Sequence, residues 1–356
     1  MEPNRGFWTG RKVCVTGGTG FLGFHLVQQL LDLGAEVRIL ALRPAAPHPL
    51  LDMEAVRTFY GDVRDPEVVR PAMAGCDIIF HTAGVVAVWG PGLELMHSVH
   101  VDGTRTVVAA APRIARVVHT SSVVTIGASP TTAALSEESA FHFTDLKVNY
   151  VHAKRAAEQI ALEAAGAQDI VVVNPGFMVG PEDYEPSIMG RFCTRYWKGR
   201  LPLAPPGGVN LVDVRDVARG HILAAEHGRT GRRFILGGEN RTFPEFMIRL
   251  AGVAGIRPRA IWTMPGWALW AIASLAHLRS RVIHKEPYPS FQHARLNRYY
   301  WFYQSNRAQQ ELGYHARSVT ASLGDAYRWH FEREKFRLRG FNGWWMRARE
   351  KQNRAA

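Results

Sequence analysis

Tyr150-Val151-His152-Ala153-Lys154 sets a phenol and an ammonium four residues apart, hence on one face of a helix. An unperturbed tyrosine, with a pKa near ~10, is a poor base at neutral pH. A neighbouring ammonium favours the phenolate and moves the group toward useful acid–base strength. Such pairs are common on helices and are mostly decoration. This one gains weight from Thr120-Ser121-Ser122, which closes an apolar strand and so stands at the carboxyl edge of a sheet. A hydroxyl there can hold a carbonyl or alcohol oxygen beside the phenol.

Proton transfer at an oxygen-bearing carbon needs a hydride carrier, and the N-terminal segment has the pattern for one. Val13–Thr16 runs straight into Gly17-Gly18-Thr19-Gly20-Phe21-Leu22-Gly23 and then a helical stretch. Gly17 permits the tight turn, Gly20 lets backbone approach a pyrophosphate, and Gly23 allows helix and strand to pack closely. The phosphates then face unpaired N–H groups at a helix N-terminus. A glycine triplet alone marks only a turn; the strand–turn–helix context is what points to a dinucleotide. At the end of the second strand an Asp or Glu would serve the ribose hydroxyls of NAD, but the chain has Ala41, Leu42 and then Arg43. Arg43 can meet a 2′-phosphate, so NADP(H) is favoured and NAD(H) is the alternative; a merely solvated Arg43 is the plain reading. Asp62, in Gly61-Asp62-Val63, follows a strand and either accepts from an adenine amino group or caps a helix before Pro66.

These groups must be positioned by an α/β framework. Short apolar runs alternate with helical patterns through the first half, the signature of βαβ units. Strands are expected at 13–16, 36–42, 57–60, 77–81, 116–120 and 170–173, with helices at 20–33, 98–111 and 150–165. The fold class is therefore a Rossmann doubly wound parallel sheet with a smaller, mostly helical C-terminal substrate domain. Residues 9–175 form the dinucleotide domain, with 209–238 returning to it through strands at 211–214 and 234–236. Residues 176–208 and 239–330 form the substrate domain, and 331–356 a basic, aromatic tail.

On these motifs the chain resembles the extended short-chain dehydrogenase/reductase family. Phe80-His81-Thr82-Ala83-Gly84, Asn174-Pro175, the run Leu211 to Ala218 and Glu311-Leu312-Gly313-Tyr314 add to it, and the likeness spans about Arg11 to Glu332. The resemblance implies that Tyr150 is the general acid–base and that Lys154 binds the nicotinamide ribose and tunes Tyr150. It also implies that Ser122, five residues before Gly127, orients the reacting oxygen in preference to Ser121. Thr19, Phe21, Leu22, Val63, Thr82, Ala83, Pro175 and Met178 are then expected beside the cofactor with the glycines, Arg43 and Asp62. Val85, Trp89, Phe177, Met178 and Phe192 are expected with Ser122 around the substrate.

Within the family the chain looks most like dihydroflavonol-4-reductase-like proteins and hopanoid-associated sugar epimerases. Sugar-nucleotide epimerases carry an Arg for the diphosphate at the place of Val209, which argues against a nucleotide sugar. Val123 and Val124 stand where dehydratases add an acid beside the catalytic hydroxyl. Trp89, Met178, Phe192, Trp197 and Trp267 suit a hydrophobic substrate of sterol, isoprenoid, flavonoid or acyl type, or else belong to ordinary core. The leading expectation is hydride transfer at a secondary alcohol or ketone. An epimerase with tightly bound NAD is the alternative, and a non-catalytic dinucleotide-binding scaffold the remote one.

Composition bounds the partners. With 47% hydrophobic and 21% charged residues, the 356-residue chain reads as an ordinary globular protein. Three scattered cysteines fit neither a disulfide framework nor a zinc site, and the fifteen histidines show no ligand spacing, so no metal is expected. The net charge of +12 comes with no nucleic-acid motif. From Phe331 to Ala356 eight Lys/Arg stand against three Glu, among Phe and Trp residues suited to an anionic lipid surface. Residues 260–278 carry no charge and read as a half-buried helix, or alternatively as a membrane-surface one. A cytoplasmic protein is expected, with peripheral membrane contact at either segment. Family relatives suggest a homodimer through the helices at 98–111 and 150–165.

Overall fold

The computed structural model describes residues 1–44, 47–87, 92–143, 146–258 and 262–334. The strands are β1 Lys12–Thr16, β2 Glu36–Ala41, β3 Val56–Tyr60, β4 Ile78–His81, β5 Arg116–Thr120, β6 Ile170–Pro175, β7 Phe177–Val179, β8 Gly208–Asp213, β9 Arg233–Leu236, β10 Glu239–Thr242 and β11 Tyr300–Trp301. The first half carries helices α1 Arg5–Trp8, α2 Phe21–Asp32, α3 Pro66–Met73, α4 Gly92–Ala110 and α5 Asn149–Ala164. The second carries α6 Ile188–Trp197, α7 Val214–His227, α8 Phe243–Ala254, α9 Gly266–Ile283, α10 Phe291–Leu296, α11 Asn306–Leu312 and α12 Val319–Glu334.

Seven parallel strands in the order β3-β2-β1-β4-β5-β6-β9 make the main sheet. Alternate side chains of one strand point to opposite faces, and here both faces are covered. Val13 and Val15 of β1, Ile78 and Phe80 of β4, and Val171 and Val173 of β6 enter a core shared with α2 and α7. Cys14, Ile79, Ile170 and Val172, the residues in between, enter a second core with α3 and α4. Continuous apolar runs are therefore what the strands need, and the polar edges are left at their carboxyl ends.

A second sheet, β10-β8-β11 with β7 paired to β8, anchors the smaller lobe. β8 joins this second sheet, whereas β9, within the same 209–238 stretch, pairs with β6 in the main sheet. β8 pairs in parallel with β7 and β11 and antiparallel with β10. Its side chains divide, Val212 entering the first core and Val209 and Leu211 the core of the small lobe. A strand apolar on both faces carries no mark of which sheet it joins. α7 and β9 line the first core, and α11 packs its Ala308 and Leu312 on it.

Charged residues pin the junction of the two lobes. Asp213 accepts from the backbone N–H of Arg215 at 2.7 Å, starting α7, and pairs with the same arginine's guanidinium. Arg215 also reaches Asp325 of α12 at 2.6 Å, while Arg317 pairs with Asp216 at 2.9 Å.

Candidate active site

The glycine turn is tight for reasons visible atom by atom. Gly17 has φ of +71°, and a Cβ on it would stand 2.8 Å from Ala83 Cα. A Cβ on Gly23 would lie 2.2 Å from Gly17 O, so the clash is with the turn itself rather than with the strand. Thr16, the last residue of β1, is bonded on both sides: Thr82 Oγ1 donates to its carbonyl at 2.6 Å and Ala83 N donates to its hydroxyl at 3.2 Å. α2 begins after Gly20 with no side-chain cap and no acidic residue in its first turn. The first-turn N–H groups and the positive end of the helix dipole therefore suit an anion, as a pyrophosphate requires. Phe21 packs edge-on against His25, and Leu22 is buried behind it.

At the rim, the Arg43 guanidinium lies 4.3 Å over the ring of Tyr60, whose register partner is Ala41. Arg43 is exposed, and this stacking props it at the carboxyl ends of β2 and β3. Asp62 is clasped by Arg64, which donates through Nε at 2.9 Å and Nη2 at 2.7 Å. That hydrogen bonding holds the Asp62 carboxyl below its ordinary range. The cap before Pro66 is made by Asp65, which accepts from Glu67 N. Val63 is buried, packed against Gly103 of α4.

Further along the same edge, β5 ends at Thr120 and passes through Ser121 and Ser122 into a short 3-10 turn. Ser122 is extended, its hydroxyl accepts from Val124 N at 3.4 Å, and it faces the Tyr150 phenol closely enough to pull the phenol's pKa down. Ser121 instead lies 3.5 Å from the hydroxyl of Thr125. Lys154, one turn beyond Tyr150 in α5, is buried and donates to the Thr120 carbonyl at 2.8 Å. Phenol, ammonium and hydroxyl thus meet at the end of β5.

The electrostatics differ from the expectation that the ammonium lowers the phenol. Burial raises the Tyr150 phenol above its ordinary value, with Ser122 pulling the other way. Burial also pushes the Lys154 ammonium down to about 8, opposed by Glu158. Desolvation thus dominates at both groups, and Lys154 is directed at a backbone carbonyl.

Two groups at the site carry little sequence signal. Glu158 is buried and accepts from Thr125 Oγ1 at 2.7 Å, Asn174 Nδ2 at 2.6 Å and Arg233 Nη1 at 3.1 Å. Its only trace is a glutamate on the inward face of α5, eight residues after Tyr150. His100 of α4 stands edge-on to Tyr150 at 5.9 Å and bonds the Val85 carbonyl at 2.9 Å. His81 lies beneath the turn, with Nδ1 2.9 Å from Thr16 Oγ1. His119 is 5.4 Å from His81, and His221 bonds Thr120 Oγ1 at 2.9 Å. Burial holds His81 near 3, His100 near 2, His221 near 4 and His119 well below its ordinary value, so all four are neutral.

The expected apolar lining separates. Phe177 packs against the same cluster as Tyr150, and Met178 and Val85 are half-buried. Pro175 is buried at the end of β6. Phe192 stacks on Phe246 at 5.4 Å, and Trp197 donates to Leu250 O at 3.0 Å, so both serve the core of the small lobe. Trp267 points outward, 76% exposed, and Trp89 lies outside the described residues.

A parallel sheet with a glycine turn on β1 and a Ser–Tyr–Lys cluster at its carboxyl edge defines a Rossmann-fold enzyme of the extended short-chain dehydrogenase/reductase class. The chain belongs to the NAD dependent epimerase/dehydratase family, which it matches over residues 13–237. Among curated relatives, a protein of Synechocystis sp. provisionally named dihydroflavonol 4-reductase is 34% identical, covering 92% of this chain and 97% of that one. Sterol demethylase protein B of Methylococcus capsulatus is 33% identical, covering 90% and 98%. Among solved structures, gox2253 matches with a TM-score of 0.80 at 29% identity, over 92% of this chain and 100% of that one. A dTDP-glucose 4,6-dehydratase of Bacillus anthracis solved with NAD has a TM-score of 0.71, over 92% and 98%, and at 15% identity shows the shared fold alone. Enzymes of this family use a nicotinamide dinucleotide.

Two outcomes follow from the buried groups. The unfolded chain protonates its histidines near pH ~6.5, while His221 in the fold resists until about 4. The unfolded state then binds more protons, so stability is complete above pH ~6.5 and falls as pH drops below it. Denaturant midpoints measured from pH 7.5 to about 4.5 should decline, and His221→Gln should flatten that decline; an unchanged slope would contradict burial of the neutral ring. Burial that pushes Lys154 down to about 8 predicts that affinity for a nicotinamide dinucleotide weakens above that pH, and that Lys154→Arg abolishes the alkaline limb. A flat wild-type profile would mean that Lys154 does not touch the cofactor.

Proposed function

We propose that this chain is an NADP(H)-dependent oxidoreductase acting at a secondary alcohol or ketone of a hydrophobic substrate of sterol, isoprenoid, flavonoid or acyl type. The observation that carries the reading is the buried Lys154, anchored on the Thr120 carbonyl at 2.8 Å, one helical turn from Tyr150 and beside Ser122 at the end of β5. When bound, the nicotinamide supplies or accepts the hydride. Ser122 donates to the substrate oxygen and holds it against the phenol. Tyr150, whose raised pKa keeps it protonated at neutral pH, gives up its proton as charge develops on that oxygen. Lys154, anchored on the Thr120 carbonyl, fixes the ribose and its positive charge steadies the phenolate left behind.

The substrate class is supported by what surrounds the oxygen. Phe177 forms an apolar wall in the Tyr150 cluster, and buried Val123 and Val124 leave no acid beside Ser122 for dehydration. Val209 is buried in β8, so that position offers no cation to a nucleotide diphosphate. Relatives named for sterol and flavonol chemistry point the same way.

Tyr150→Phe should reduce turnover by roughly 10²–10⁴-fold while cofactor affinity is retained. Full residual activity would remove Tyr150 from the chemistry. Arg43→Ala should raise the KM for NADPH about tenfold or more and leave that for NADH nearly unchanged. An equal effect on both would mean that the stacking on Tyr60 serves structure only. Mass spectrometry of the purified protein separates the epimerase alternative, which requires NAD retained through purification and no net NADPH consumption.

A further inference from the structure

We propose that α9 docks this protein on an anionic lipid bilayer through its outward face. This does not rest on the reductase reading. The charge-free run 260–278 overlaps α9, Gly266–Ile283, only from Gly266, and the side that α9 leaves uncovered is apolar. Trp267, Ala271, Leu275, Leu278 and Val282 fall on one stripe, at i, i+4, i+8, i+11 and i+15. Trp267, Leu275 and Val282 are 76%, 73% and 76% exposed. The stripe runs about 22 Å, at the helical rise of ~1.5 Å per residue. Trp262, four residues before the helix begins, is 75% exposed as well.

The opposite side of the helix is fixed in place, so this exposure belongs to the folded molecule. Leu269 and Ala273 pack with Met264 and Ala294, while His277 stacks on Phe291 of α10 at 4.0 Å. A contiguous apolar face of this kind is unusual on a soluble monomer and marks an interaction site.

Charge selects the occupant. From Phe246 to Lys285 the chain carries six Lys/Arg and no Asp or Glu. Arg279, Arg281, His284 and Lys285 are exposed at the C-terminal end of the stripe. An anionic headgroup layer neutralises the rim while acyl chains receive the stripe, and tryptophans suit the boundary between the two. Among the described residues no helix is long and apolar enough to cross a membrane, which leaves a surface position.

The inner side of the helix leads to the catalytic edge. α10 packs under α9, its Leu296 joins the cluster that holds Tyr150, and Arg295 donates to the Lys147 carbonyl at 2.7 Å.

The test is flotation of the full chain with phosphatidylcholine vesicles, with and without phosphatidylglycerol, alongside NADPH titration and light scattering. The chain should float with the anionic vesicles and much less with phosphatidylcholine alone. Trp267→Glu/Leu275→Glu should weaken anionic-vesicle binding about a hundredfold while NADPH affinity, the check on folding, is unchanged. Arg279→Gln/Arg281→Gln should weaken it about fivefold per charge on anionic vesicles only. Failure to bind anionic vesicles overturns the proposal. So does undiminished binding by the Trp267/Leu275 variant, or a loss confined to a Trp344→Ser/Trp345→Ser tail variant. A dimer that the Trp267/Leu275 variant disperses, without vesicle binding, assigns the face to a second copy and overturns it as well.

Discussion

The buried carboxylate of Glu158 is the tie on which the site hangs. It joins four pieces of chain: α5, which bears it, the turn after β5 through Thr125, β6 through Asn174 and β9 through Arg233. Arg233 in turn donates to the Glu137 carbonyl, and the Glu137 carboxylate accepts from Ile235 N at 2.8 Å. A buried charge is tolerable only when its lone pairs are met, and here they are. Breaking such a pair costs about 3–5 kcal/mol, comparable to much of a domain's net stability. Tyr150 and Lys154 lie on the same face of α5 and inherit their positions from this anchor. Ser122 inherits its own from the turn that Thr125 secures.

Around that anchor the interior is kept nearly free of net charge. Lys154 sits among His81, His100, His119 and His221, and its positive charge helps hold each of them neutral. The molecule as a whole carries +12, so its cations are gathered at the surface. A strong positive exterior with one buried ammonium draws anionic ligands in and then places them by hydrogen bonds rather than by bulk field.

What the amino-acid sequence revealed was set by locality. Strand runs such as Ile170–Val173 were legible because parallel strands covered on both faces must be apolar throughout. The glycine turn and the Tyr150–Lys154 spacing were legible because each is complete within eight residues. Glu158 was not, since its partners lie 33, 16 and 75 residues away. The capture of Asp62 by Arg64 is local, but nothing distinguishes a clasped carboxylate from a free one in a string of letters. Among the large aromatics, Trp197 and Trp267 look alike in sequence, yet one closes the core of the small lobe and the other faces out. The charge-free run at 260–278 has the same ambiguity, because both faces of α9 are apolar and no polar periodicity points to the exposed side.

The path of the chain between the two sheets has a mechanical consequence. It crosses after β6, again into α7, again after β9, again into α11 and once more into α12. Two lobes joined by one or two linkers can swing as rigid bodies about a few backbone angles. Here any such swing would have to bend every crossing together, against the ion pairs of Arg215 and Arg317. The lobes are sewn rather than hinged. Fitting a guest is thereby left to side chains and loop tips, and a proteolytic cut at one crossing would leave the others still stitched.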